Sequence, residues 1–165
     1  MSISLNCCCG PSPSPTRPCA AWPGATAQEV QEQVADRLEK RLQEMAERGV
    51  NLFDRNYRPI PGSHPQKYHT SYDESFEQLM QSDYDRLVDE TPGGRFALLV
   101  DEGGYAPTHN SFYSKKPTGD ARVDLLHSRD KRIFNDPAGL KSASNTLPFL
   151  LQTYVRDTGE VLSEI

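Results

Sequence analysis

The chain has 165 residues, a hydrophobic fraction of 36%, 13 prolines, a formal net charge of -5 and a mean hydropathy of -0.68. That length suits one domain with extra chain outside the core, and acids and bases are interspersed, so no positive stripe is available for nucleic acid. No apolar run approaches the ~20 residues of a membrane span.

Cys7, Cys8, Cys9 and Cys19 are the only cysteines. The rest of the chain has none, so no disulfide staples a fold there, which fits a reduced, cytoplasmic setting. Three adjacent cysteines without a histidine at finger spacing do not make a zinc site, and His64, His69, His109 and His127 are too scattered to form one. No metal or other cofactor is expected. Residues 1–25 lack the basic start and apolar stretch of a secretory signal. Prolines alternating with small residues from Gly10 to Gly24 predict a disordered leader.

A helix is expected over 26–49. Thr26 can cap it with Glu29 three residues on, Val30, Val34, Leu38, Leu42 and Met45 form a stripe, and Gly49 sits where a C-terminal cap belongs. The stripe is narrow and its flanks are charged, which suits a seam against one partner helix, a second copy of this chain included. Residues 52–70 hold Pro59, Pro61 and Pro65, so regular structure is unfavourable. Phe53, Tyr57, Ile60 and Tyr68 should pin the segment as an ordered loop.

A second helix is predicted from Ser71 to Val88, stopped by the turn at 91–94. Phe96–Val100 reads as a buried strand, and "DEGG" after it reads as a hairpin turn into a return strand over Tyr105–His109. A polar, loop-rich region follows with one short helix near Arg122–His127. "PFLLQTYVR" and "VLSEI" around "DTGE" read as a second hairpin whose last strand is left as an uncovered edge. The fold class is therefore α+β, built on an antiparallel sheet with helices N-terminal to it and incomplete at the C-terminal end.

Three clusters are candidate ligand groups. Strand alternation places Tyr105, Pro107 and His109 on one face, with Asn110 next to them, and an imidazole and an amide suit a small polar or organic-acid ligand. The same two groups could satisfy loop backbone instead. Lys131 and Arg132, beside Ile133 and Phe134 and ahead of a turn at 135–139, could hold an anion, or Arg132 could pair with Asp130 or Asp136. Gln152 and Tyr154 share one face of their strand and need partners if buried, from a cavity or from ordinary packing.

Signatures of catalysis are missing: there is no G-x-S-x-G elbow, H-E-x-x-H pair or glycine-rich phosphate loop. An enzyme would have to use His109 as general base with Asp101 or Asp136. A third reading is an interaction module without a small ligand, docking through its last strand.

"DRNYRPIPGSHPQKYHT", "DEGGYAPTHN", "KRIFNDPAGL" and "PFLLQTYVRDTGEV" resemble, in order, the sensory module that follows the signalling region in a group of bacterial methyl-accepting chemotaxis proteins. The resemblance covers about Leu52–Ile165 and implies a PAS/Cache-like fold that holds a ligand or partner. It also implies that the helix over 26–49 leads out of a signalling coiled coil, the partner to which a conformational bias would pass. Two departures from the family suggest a truncated fragment: the closing strands and the kinase-contacting hairpin are both missing.

Overall fold

The computed structural model describes residues 2–7, 27–91, 93–147 and 150–164, which form a mixed α+β structure with antiparallel sheets. Helix α1, Ala27–Glu47, follows the expected stripe: Val34, Leu38 and Met45 are buried and Leu42 is half-buried. It ends as predicted at Gly49, whose φ of 78° opens the left-handed region. The Gly49 N–H reaches the Ala46 carbonyl at 2.9 Å and the Val50 N–H reaches that of Met45 at 3.0 Å, the two reversed bonds of a Schellman cap. The Thr26 cap, the leader from Cys8 to Gly24, Pro92, Pro148, Phe149 and Ile165 lie outside the described residues.

The segment 52–70 is pinned in part as expected, by Tyr57 and Tyr68 packed against the helix core, and in part by polar groups. Phe53 is 84% exposed. A two-residue ladder joins β2, Arg58–Pro59, to β3, Tyr68–His69. Between them Lys67 is buried, its Nζ 2.7 Å from Asp130 and 2.8 Å from the Ser128 hydroxyl, which ties the loop to residues 128–130.

The single helix expected over 71–88 is two, α2, Asp73–Leu79, and α3, Gln81–Glu90. They meet at Met80, which is fully buried and has φ -106°. Met80 belongs to both ends: its N–H closes α2 on the Phe76 carbonyl at 2.9 Å, and its carbonyl accepts from the Tyr84 N–H at 3.0 Å to open α3. Both pieces face the same core, since Tyr72, Phe76, Met80, Tyr84 and Leu87 pack with Leu38, Met45, Ala97 and Leu99.

Strand β4, Gly94–Val100, is buried on both faces, as its unbroken apolar run implies. Ala97 and Leu99 join the core with α1, α2 and α3, whereas Phe96, Leu98 and Val100 join a second cluster on the opposite face. Residues 2–7, expected in a disordered leader, instead form strand β1, Ser2–Cys7, antiparallel to β4 from Ser2 opposite Val100 to Asn6 opposite Phe96. The predicted second hairpin is present as β7, Gln152–Val155, and β8, Val161–Glu164. Because β1 pairs with β8 as well, the sheet runs β4-β1-β8-β7, and the last strand is interior where an uncovered edge was expected.

The turn at Asp101–Gly104 forms, but no return strand pairs with β4. Strand β5 is only Tyr105–Ala106 and pairs with β6, Arg132–Ile133. Helix α4, Ala121–His127, matches the predicted short helix and is capped by Asp120. The turn expected at 135–139 is the start of helix α5, Pro137–Ala143: Asp136 accepts from the Ala138 and Gly139 amides, and Pro137 occupies the first helical position.

Gly104 has φ 81°, and a Cβ there would lie 2.5 Å from the Phe134 carbonyl oxygen. Gly62 has a similar φ of 73° with nothing within 4 Å. Gly62→Ala should therefore cost about 1 kcal/mol, the backbone term alone. Gly104→Ala should cost about 1–3 kcal/mol more for the clash, read by chemical denaturation; equal costs would refute the close approach.

Candidate functional site

The face of β4 turned away from α1, α2 and α3 is apolar, and two charged segments close over it. The first starts at Arg129. Lys131 takes a left-handed φ of 58°, donating its N–H to Ala106 at 2.7 Å and accepting from Tyr68 at 2.8 Å, so the chain reverses between Arg129 and Arg132. Phe134 then sits where only glycine fits beside it, because a Cβ on Gly139 would also come within 2.6 Å of its carbonyl. The second segment is the β7–β8 turn, which brings Arg156 and Asp157 over the same face. Between the two lies a cleft of about 560 Å³ lined by Phe96, Leu98, His109, Phe134 and Tyr154, with the arginines at its sides.

Arg129 and Arg156 are more than nine-tenths buried and Arg132 nearly so. Arg129 donates to both Asp157 oxygens, at 3.0 and 3.1 Å, and to the Leu125 carbonyl at 2.9 Å. Arg132 reaches the same carboxylate at 3.5 Å. Arg156 donates to the Tyr113 hydroxyl and to Glu160, each at 3.3 Å, and lies over the rings of Tyr113 and Phe96 at 4.6 and 5.2 Å. Arg132 and Arg129 lie over Phe134. Burial, then the neighbouring Arg156, pushes the Arg129 pKa down to about 10, and burial lowers that of Arg132 as well. Asp157 thus offsets part of the crowding of three cations. Arg132 Nη1 and Arg156 Nη2 have no hydrogen-bond partner among the described residues.

His109 is fully enclosed, its ring 5.3 Å from that of Phe96 and 4.9 Å from that of Tyr113. Its Nδ1 accepts from the Asn110 N–H at 2.9 Å and lies 2.6 Å from Asn110 Oδ1. Burial first, then Arg129, hold its pKa well below the ordinary value, and Arg156 and Arg132 add to the effect. The imidazole is neutral at pH 7.

Of the six predicted site residues, His109, Arg132 and Tyr154 line this cleft. Tyr105 does not. Past Ala106 the chain leaves its strand, so the alternation that would put Tyr105 and His109 on one face fails, and Tyr105 turns into the helix core with its hydroxyl on Asp73 at 2.7 Å. Asn110 holds His109 from behind. Gln152 donates to Ser142 Oγ at 2.6 Å and to the Ala138 carbonyl at 3.0 Å, tethering α5 to the hairpin outside the cleft. Arg132 pairs with Asp157 in place of the nearer Asp130 and Asp136.

Sequence reasoning missed Arg129, Arg156, Asp157 and Phe134 as site groups. The available signal was weak: two Arg-Asp dipeptides, 129–130 and 156–157, each a few residues from aromatic side chains, which by themselves read as solvated loop ends. Among the described residues no cluster of His, Cys, Asp or Glu could hold a metal, and no helix is long and apolar enough to cross a membrane. Comparison with protein-family models, with curated proteins and with solved structures gave no match.

The buried imidazole has a measurable consequence. Below the ordinary value of 6.5 the unfolded chain takes up a proton at His109 that the folded chain refuses, so stability is lost as pH falls below it. The loss should approach about 1.4 kcal/mol per pH unit, one proton's worth, in urea titrations between pH 6.5 and 5. His109→Gln should lower stability at pH 7 but remove that component of the slope; an unchanged slope would show that the imidazole titrates normally.

Proposed function

We propose that this chain is the sensory, ligand-binding module of a methyl-accepting chemotaxis transducer, with a PAS/Cache-like sheet, acting in the cytoplasm without catalysis of its own. One observation supports this reading above the others: the cleft and helix α1 lie against opposite faces of one strand. Phe96, Leu98 and Val100 line the cleft, while the alternate residues Ala97 and Leu99 share a core with Leu38 and Met45. Occupying the cleft and repacking α1 are therefore coupled through a strand two side chains thick. The four blocks that resemble chemotaxis sensory modules support the same assignment. Helix α1 would then lead to the coiled-coil signalling region, and its charged, narrow stripe also suits pairing with a second copy.

A ligand moves such an equilibrium only by its differential affinity for the two packings, and a few kcal/mol suffices. His109 serves here as a neutral wall group; an imidazole with so low a pKa is a weak general base.

Thermal-shift screening of the full chain against organic acids and amino acids should yield compounds that raise Tm, and no compound should be turned over. Bound compounds should also change amide exchange over Leu38–Met45 in α1. A ligand that raised Tm while leaving α1 exchange unaltered would leave a binding protein without a transmitted signal, and the sensory reading would fall.

A further inference from the structure

The cleft contains more buried cation than its own carboxylates use. Asp136 accepts the first amides of α5 and is exposed, and Glu164 takes the Ser142 hydroxyl and lies against the Tyr154 phenol. Two carboxylates face the three arginines: Arg129 takes both oxygens of Asp157, which Arg132 reaches at 3.5 Å, and Arg156 Nη1 pairs with Glu160 at 3.3 Å. That leaves Arg132 Nη1 and Arg156 Nη2, both on buried guanidinium groups, with no partner among the described residues. An unpaired N–H of this kind is a costly feature in an interior, and its ordinary complement is a carboxylate or phosphoryl oxygen. Asp157 itself shows that a carboxylate fits between Arg129 and Arg132.

Two features select among anions. The floor and far wall are apolar, formed by Phe96, Leu98, Ile133 and Phe134, so the ligand has a hydrophobic body next to its charge. Asp136 and Glu164 also line the cleft, so a second negative charge would meet acidic groups. Resting on the reading of this cleft as the ligand site, we infer that it binds a monocarboxylic acid with an apolar body, the carboxylate received by Arg132 and Arg156 and the body lying against Phe96 and Phe134. Asp157, on the exposed turn between β7 and β8, is then an internal competitor that occupies Arg129 and shares Arg132.

Calorimetric titration of the full chain with benzoate and hexanoate, against the near-isosteric benzamide and hexanamide, tests this without altering the protein. The acids should bind at least about tenfold more tightly than the amides, the difference between a charged and a neutral acceptor. Arg132→Gln should erase that preference, and Asp157→Asn should strengthen benzoate binding by releasing the competing carboxylate. Amides binding as tightly as acids would overturn the inference and leave the cleft as a ligand site of another kind. Tighter binding of succinate or inorganic phosphate than of benzoate would overturn it in favour of a more highly charged ligand. If neither acids nor amides bound, and the wider screen also gave nothing, both the inference and the sensory reading would fall.

Discussion

The Asp101 carboxylate holds together the parts on which the rest of the molecule depends. It is fully buried at the end of β4 and accepts from the Tyr57 hydroxyl at 2.7 Å, the Tyr72 hydroxyl at 3.2 Å, and the amides of Gly103 and Tyr105 at 2.9 and 3.0 Å. Arg55 lies 3.4 Å away and clamps Glu102 with two bonds of 2.8 and 2.7 Å, which hold the Glu102 pKa down to about 2. A buried carboxylate is tolerable only when its oxygens are saturated in this way. Burial, with Asp101 alongside, raises the pKa of Tyr57 and of Tyr72, so both phenols stay protonated and donate. One side chain thereby fixes the loop before α2, the start of α2, the exit of β4 and the turn into β5. Through Gly104 it also sets where Phe134 can lie.

The cleft is the downstream product of that arrangement. Guanidinium groups are weakly hydrated and planar, so they can be buried against rings where an ammonium would not be tolerated. Arg156 on Tyr113 and Phe96, and Arg129 and Arg132 on Phe134, use this property. Lysine is treated differently here: Lys67 is buried only with a full carboxylate and a hydroxyl on its nitrogen. The contrast separates a structural ion pair, closed on itself, from a set of cations whose hydrogen-bonding capacity exceeds what surrounds them.

Elements with strong local signals were legible in the sequence. The α1 stripe and its Gly49 cap, the short helix before His127 and the final hairpin all carry periodicity or turn chemistry within a few residues. What was not legible depends on distant partners. Nothing in Ser2–Cys7 announces a strand, because its pairing is with residues 94–100 and 163–164. "DEGG" reads as a hairpin, yet its aspartate is drawn into the tyrosine cluster and the exiting strand finds a partner at Arg132–Ile133. Within the site, His109, Arg132 and Tyr154 could be named from local pattern, whereas Arg129, Arg156 and Asp157 become a site only when two separate turns meet. Asp136 before Pro137 was a helix start, and it was mistaken for a turn because both use the same residues.

Strand β1 has one further implication. β4 and β8 are not neighbours in the sheet; each pairs with β1, which is distant from both in sequence. The sheet is therefore joined by a segment far in sequence from both neighbours: Asn6 stands opposite Phe96 on one side and Glu164 on the other. Pairing across so long a stretch of chain carries a large loop-closure cost and forms slowly. Without β1 in place, β4 and the β7–β8 hairpin on either side of the arginine-lined hollow are not joined in one sheet, so the cleft assembles together with the sheet.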